Sequence, residues 1–335
     1  MEILNDLLAS MRLTGGVFLD GEMRGPWSVH AQVTPEECAP IFEMPSHIIA
    51  YHFVRSGRLS CQVGDAQPVP VRGGEIVLLP RNDPHILHGP TPAEPVDGND
   101  WVIYPDDGGP VLFRYGEGDE ETKVFCGFLG SSTPENMLLR SLPALMVIGL
   151  DDTAESAWIR RSIDFAALGL GADCPEMVGK LAEGLFAEAV RRYIDNLPPQ
   201  EAGWLAGLQD PAVGRTIALI HRRFAEALTL DDLAREAGVS KTVLGERFRA
   251  LLGESPMQYC ASWRMHVAAD MLRNDRHNAC SVAYSVGFNS EAAFNRAFKR
   301  EFGIPPAAWQ RGLDPAPAGG MVSPQPAVNV VAPAA

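Results

Sequence analysis

Three histidines in the N-terminal half stand where side chains could act on a bound molecule. His47 and His52 lie five residues apart in "SHIIAYHFV", and His85 follows in "PRNDPHILHG". Neutral imidazoles hydrogen-bond a ligand or coordinate a divalent metal such as zinc, nickel or iron. The expectation is a ligand-binding pocket at His52 and His85, with a divalent metal held by His47, His52 and His85 as the more demanding version. His88 or Glu43 would then be a further ligand. A competing chemistry is a thiol-based redox centre at Cys126 or Cys61. No basic residue beside Cys126 in the sequence would lower its pKa, which favours a plain buried thiol.

A second set of residues lies near the C-terminus. The stretch "SVAYSVGFNSEAAFNRAFKREFG" carries Arg296, Lys299 and Arg300 on a phenylalanine-studded helical pattern, in a chain of net charge −14. Shifting the sequence by fifty residues superposes Ser240 on Ser290, Leu244 on Phe294 and Phe248 on Phe298. The same shift matches Arg249 with Lys299, Gly253 with Gly303, Pro256 with Pro306 and Tyr259 with Trp309. Each copy has a Ser at a helix start and a Gly, then a Pro, after its end. Before the first lies "LTLDDLAREAGVS", where Thr229 and Asp232 have capping-box spacing. A short helix, a tight turn and a second helix form a helix-turn-helix, here twice in tandem.

The surrounding elements follow from composition and pattern. Residues 211–311 hold 14 Lys/Arg and 10 Asp/Glu, a net of +4, whereas residues 1–210 hold 14 and 31, a net of −17. A mildly basic module joined to an acidic one points to nucleic-acid contact by the C-terminal part alone. Residues 15–130 contain short apolar runs separated by Gly and Pro, the pattern of a β-sandwich or barrel. Helical spacing follows in "CPEMVGKLAEGLFAEAVRRYIDN", and residues 208–311 read as helical throughout. The tail from Asp314 is rich in Pro, Ala and Gly and reads as disordered. The six cysteines are scattered without a C-x-x-C pair, the N-terminus lacks a signal-peptide pattern, and no apolar run would cross a membrane. A cytoplasmic protein with reduced thiols is expected.

Residues 211–311 resemble the DNA-binding domain of the AraC/XylS family of bacterial transcription regulators. The residues carrying the resemblance are "TLDDLAREAGVSKTVLGERFRALLGESPMQY", "WRMHVAADML" with Arg264, and "SVAYSVGFNSEAAFNRAFKREFGIPPAAW". It implies two helix-turn-helix units joined by a linking helix and reading successive major-groove faces of promoter double-stranded DNA. By family register the first recognition helix presents Lys241, Thr242, Gly245 and Glu246, and the second presents Glu291, Ala292, Asn295 and Arg296. Arg249, Lys299 and Arg300 would meet phosphates. Upstream, "GGEIVLLPRNDPHILH" is similar to the second cupin motif, with Asn82 where Gly is usual, and the region resembles the cupin-type sensory domain of one branch of that family.

The resulting expectation is an α+β chain: a cupin-like β-barrel over 1–145, a helical connector over 146–207, an all-α DNA-binding domain over 208–313 and a tail over 314–335. The connector could also supply a homodimer contact. The function implied is a non-enzymatic transcription regulator answering a small-molecule effector, with RNA polymerase as a partner if it activates. A metal-dependent cupin enzyme with a DNA-binding appendage is the alternative from another class.

Overall fold

The computed structural model describes residues 4, 8, 11, 13–34, 47–103, 111–131, 137–150, 154–165, 175–198, 202–274, 278–311 and 329–331. These fall into two compact units, Leu8–Asn196 with Gln325–Ala335, and Leu197–Pro324 with Met1–Leu7.

The first unit is built on two sheets. Its strands are β1 (Thr14–Arg24), β2 (Ser28–Ala31), β3 (His47–Ser56), β4 (Arg58–Val63), β5 (Val69–Arg72), β6 (Glu75–Leu79), β7 (His85–His88), β8 (Val96–Asp97), β9 (Val102–Ile103), β10 (Val111–Tyr115), β11 (Glu121–Ser131) and β12 (Met146–Gly149). One sheet runs β12-β6-β3-β11-β1-β10-β9 and the other β5-β4-β7-β2-β8. Alternate residues of both sheets point into a shared core, in which Ala50, Val54, Val77, Leu79 and Val124 of the first meet Val29, Leu59, Val71 and Leu87 of the second. Two packed sheets agree with the β-sandwich or barrel that the short apolar runs implied, and with the cupin-like unit that the resemblance implied. β3 lies between β6 and β11 and is buried on both faces from Ile48 to Val54.

Part of the segment read as a connector belongs to this unit. Helices α1 (Met137–Ser141), α2 (Ala154–Phe165) and α3 (Pro175–Asp195) follow the strands, and α3 packs against β1, β11 and β12. Leu185, Phe186, Ala189, Val190, Tyr193 and Ile194 of α3 are buried, the stripe expected of an amphipathic helix laid on an apolar surface. Arg192 secures it, donating to the Gly149 carbonyl at 3.0 Å, Ser156 Oγ at 2.8 Å and Glu188 Oε1 at 2.8 Å.

The tail departs from the disorder expected of it at one place. Asn329–Val331 forms β13, pairing in parallel with Met146–Ile148 of β12 at the end of the larger sheet. A run ending in two valines favours the extended state, and the open edge of β12 offers it backbone partners. The remainder of 314–335 lies outside the described residues.

The second unit is helical. Its elements are α4 (Trp204–Gln209), α5 (Pro211–Arg223), α6 (Leu230–Ala237), α7 (Lys241–Leu252), α8 (Pro256–Asn274), α9 (Ala279–Ser285), α10 (Glu291–Phe302) and α11 (Pro306–Gln310). Thr229 and Asp232 form a reciprocal capping box on α6. The fifty-residue repeat appears directly in α7 and α10, each of 12 residues, capped by Ser240 and Ser290 through bonds from Val243 N and Ala293 N at 3.3 Å. Both end on a left-handed glycine, Gly253 at φ 78° and Gly303 at φ 75°, a conformation that costs glycine little.

The long helix α8 joins the two repeats and contributes to both cores. Its Tyr259 hydroxyl accepts from Trp204 Nε1 at 2.8 Å and meets His221 Nε2 at 2.8 Å, while its Ala268, Ala269 and Leu272 pack with Phe294, Phe298 and Trp309. Arg264 on the same helix donates to the Phe224 and Glu226 carbonyls at 2.5 and 2.6 Å, satisfying acceptors that α5 leaves open at its C-terminus. Replacing Arg264 with Ala removes two charge-assisted bonds and should cost about 1.5–3 kcal/mol, measured as a shift in denaturant unfolding of the full chain. Arg264→Lys should recover less than half, since one ammonium cannot reproduce the fork. An unchanged transition for both variants would show that these bonds contribute nothing.

Candidate ligand pocket and DNA-reading surface

The pocket residues are set by period-two alternation. Ala50 and Val54 face the core, so His52 between them faces it too; Leu87 does the same for His85, and Val124 for Cys126. His52 comes from the larger sheet and His85 from the smaller one. Their Nε2 atoms meet inside the core at 2.8 Å, and the two residues are only 5% and 3% exposed. Cys126 is the register partner of His52 on the adjacent strand, and its Sγ lies 2.9 Å from His52 Nδ1. At the other end His85 Nδ1 lies 2.9 Å from the Asp83 carbonyl.

Burial sets the charge state of this cluster. It holds the His52 imidazole well below the ordinary histidine pKa, and the neighbouring His85 pushes the same way. His85 is lowered by burial as well, partly offset by its bond to the Asp83 carbonyl. The Cys126 thiol is pushed up to about 12 by burial and by the Asp20 carboxylate. All three groups therefore rest neutral near pH 7.

The structure does not bring His47 to this pair. Its Nε2 lies 2.6 Å from the Pro80 carbonyl, and burial lowers its pKa. His88 Nδ1 lies 2.8 Å from the Gly89 carbonyl, and Glu43 lies outside the described residues. Among the described residues no group of three or more His, Cys, Asp or Glu is placed to hold a metal. The donor set present does not fit the three or four protein ligands of an ordinary zinc or iron site.

Asn82, the departure from the cupin motif, keeps the turn that leads to β7. It is the one non-glycine residue with positive φ among those described, at 51°, a left-handed conformation that Asn tolerates better than most side chains. Its amide donates from Nδ2 to the Val33 carbonyl at 2.6 Å, while Oδ1 accepts from Val33 N at 3.2 Å. Asn82→Ala loses both bonds and strains the backbone, whereas Asn82→Gly loses only the bonds. The Ala variant should be less stable than the Gly variant by about 1–2 kcal/mol in denaturant unfolding, and the reverse order would contradict this account.

On the helical unit the expected reading positions divide by exposure. Lys241, Thr242, Glu246 and Arg249 are exposed on α7, and Glu291, Ala292, Arg296, Lys299 and Arg300 on α10. Lys241 Nζ pairs with Asp231 at 2.9 Å, an exposed pair that DNA phosphates could replace. Gly245 is half-buried, yet a Cβ built on it would meet no atom within 4 Å. Asn295 differs from the outward position expected: it is half-buried, and its Oδ1 is buried without a hydrogen-bond partner. It sits beside the Phe294–Phe298 stripe, at the border between the packed and open sides of α10.

Residues 2–195 match the family model described as Cupin, and residues 233–312 match the one described as Helix-turn-helix domain. A Streptomyces lividans protein described as an AraC-like transcription regulator is 30% identical over 314 residues, spanning 93% of this chain and 98% of that one. The chain belongs to the AraC/XylS family. Another AraC-like regulator, from Streptomyces antibioticus, is 28% identical over 93% of this chain and 99% of its own length. The regulator AlkR of Acinetobacter baylyi is 24% identical over 90% and 96%. As a member of the AraC/XylS family the protein is a DNA-binding transcription regulator rather than an enzyme, and the reading as a metal-dependent cupin enzyme gives way to that. No described helix is long and apolar enough to cross a membrane.

What sequence reasoning missed is the base next to Cys126. His52 lies 74 residues away in sequence and becomes its neighbour only through the β3–β11 register. The shared inward alternation of 50-52-54 and 124-126 was the available signal.

Proposed function

We propose that the cupin-like unit receives a small-molecule or chemical signal at the His52–His85 pair, and that the signal changes how α7 and α10 engage promoter DNA. The observation that carries this reading is a pair of buried imidazoles joined across an otherwise apolar core. Polar groups there cost stability that apolar side chains of similar size would not, and such groups cluster at functional sites. A signal has an effect only if it binds the DNA-competent and incompetent states unequally. RNA polymerase is the further partner if the output is activation. A homodimer through the 146–207 segment remains compatible with α3 using its buried stripe within its own unit.

For readout, Arg296 is the leading base-contacting residue, because an exposed guanidinium can donate two bonds to guanine O6 and N7. Glu246, its equivalent fifty residues earlier, can only accept, as from cytosine N4. Arg249 and Lys299 occupy equivalent positions nearer the helix C-termini, suited to phosphates. Asn295 would join the reading head only by turning its amide outward. Gly245 fits a helix that must lie close against its target, since within the protein nothing limits a larger side chain.

Two measurements on the full chain test this. Arg296→Ala should lose about 1–3 kcal/mol of discrimination at one base position across a set of single-base operator variants, and Glu246→Ala should lose less affinity. A loss from Arg296→Ala that is uniform over all bases would assign it to phosphate instead. Gly245→Ala should stabilise the fold by about 0.5–1 kcal/mol, as an Ala does in a helix interior, yet weaken promoter binding. Stabilisation with undiminished DNA affinity would remove Gly245 from the interface.

A further inference from the structure

The hydrogen bonds around His52 leave one consistent arrangement of protons. The Asp83 carbonyl can only accept, so His85 Nδ1 carries a proton and its Nε2 presents a lone pair. His52 Nε2, 2.8 Å away, must then be the donor, which leaves His52 Nδ1 unprotonated. Cys126 S–H, 2.9 Å from that nitrogen, donates to it. The chain of donors therefore runs in one direction: Cys126 to His52, His52 to His85, and His85 to the backbone. A nucleophile, a base in contact with it and a group that orients the base are the parts of an activated thiol site. Cys126 is half-buried as a residue, whereas its partners His52 and His85 are buried.

We propose that Cys126 is a modification site, at which a small oxidant of the hydroperoxide class converts the thiol to a sulfenic acid with His52, held by His85, as the general base. This rests on the reading of the cupin-like unit as the sensor and names the signal it would take. In the step, Cys126 Sγ attacks the nearer peroxide oxygen; the S–O bond forms as the O–O bond breaks. The thiol proton passes to His52 Nδ1 and on to the departing oxygen, which leaves as water from hydrogen peroxide. Sulfur is oxidised by two electrons and the peroxide is reduced by two.

Because the resting cluster is neutral, the thiol is quiet until an electrophile draws the proton toward His52, the circumstance in which a positioned base accelerates a reaction. The product also has a structural consequence. Cys126 and His52 are direct partners on adjacent strands, so a new oxygen on Sγ must be accommodated beside the 2.9 Å contact with His52. His52 is in turn the link from the larger sheet to His85 on the smaller one.

The test uses the reduced full-length protein, hydrogen peroxide and a dimedone trap for sulfenic acid, with peptide mass spectrometry of each cysteine. Cys126 should be trapped. Cys61, which is fully buried and has a thiol likewise pushed up to about 12, should not be, and exposed Cys280 serves as the internal rate reference. In His52→Phe the Cys126 rate relative to Cys280 should fall by about 100-fold or more, the usual reach of a general base, and His85→Phe should fall by less. Wild-type Cys126 as inert as Cys61 overturns the proposal without recourse to any variant, as does an undiminished rate in a folded His52→Phe protein. Promoter binding is measured alongside: peroxide should change the affinity of the wild type and leave that of Cys126→Ser unaltered. Trapping at Cys126 with no change in promoter affinity would overturn the signalling role, whereas no trapping with effector-responsive DNA binding would overturn the thiol site and leave the sensor reading standing.

Discussion

The contact that links the two sheets of the first unit through buried polar side chains is the one between His52 and His85. Two sheets packed face to face are held mainly by apolar burial, which is strong but non-directional. A 2.8 Å hydrogen bond between imidazoles, one from each sheet, adds direction to that packing. The bond needs one ring as donor and the other as acceptor; the Asp83 carbonyl makes His85 Nε2 the acceptor, and burial keeps both rings neutral. Asn82 is part of the same arrangement, because the left-handed turn it holds lies three residues before His85, where β7 begins. Chemistry that alters this pair or its Cys126 neighbour acts on the join between layers rather than on a surface loop.

The helical unit solves a different problem with repeated parts. Each recognition helix must bury one side and leave the other open, and the fifty-residue repeat does this with the same devices: a Ser cap, an aromatic or leucine stripe, and a left-handed glycine. The linking helix α8 feeds both cores and uses Arg264 to close the end of α5. Duplication did not preserve the exposed chemistry. Gly245 and Glu246 on α7 correspond to Asn295 and Arg296 on α10, so at the second of these equivalent positions one helix exposes a carboxylate and the other a guanidinium. The packing residues tolerate little change because a core position has few substitutes, whereas the outward positions are constrained only by what they touch.

Much of this was legible in the residues alone. The spacing of Ser, Phe, Gly and Pro determined the two helix-turn-helix units, because caps, stops and apolar stripes are local signals that need no distant partner. Short apolar runs separated by turn residues pointed to a β-sandwich or barrel, and the charge imbalance pointed to the C-terminal part as the one that meets DNA. Tertiary structure decided what local signals could not carry. Strand register placed His52 against Cys126 and His85 while leaving His47 on the Pro80 carbonyl, since a shift by one residue would turn each side chain to the opposite face. The apolar stripe of α3 was evident from its period, but only the sheet beneath it determined that it packs within its own unit. The half-burial of Asn295 and the pairing of Asn329–Val331 with β12 were settled in the same way, by neighbours distant in sequence whose positions follow from the packed chain and not from any stretch of it.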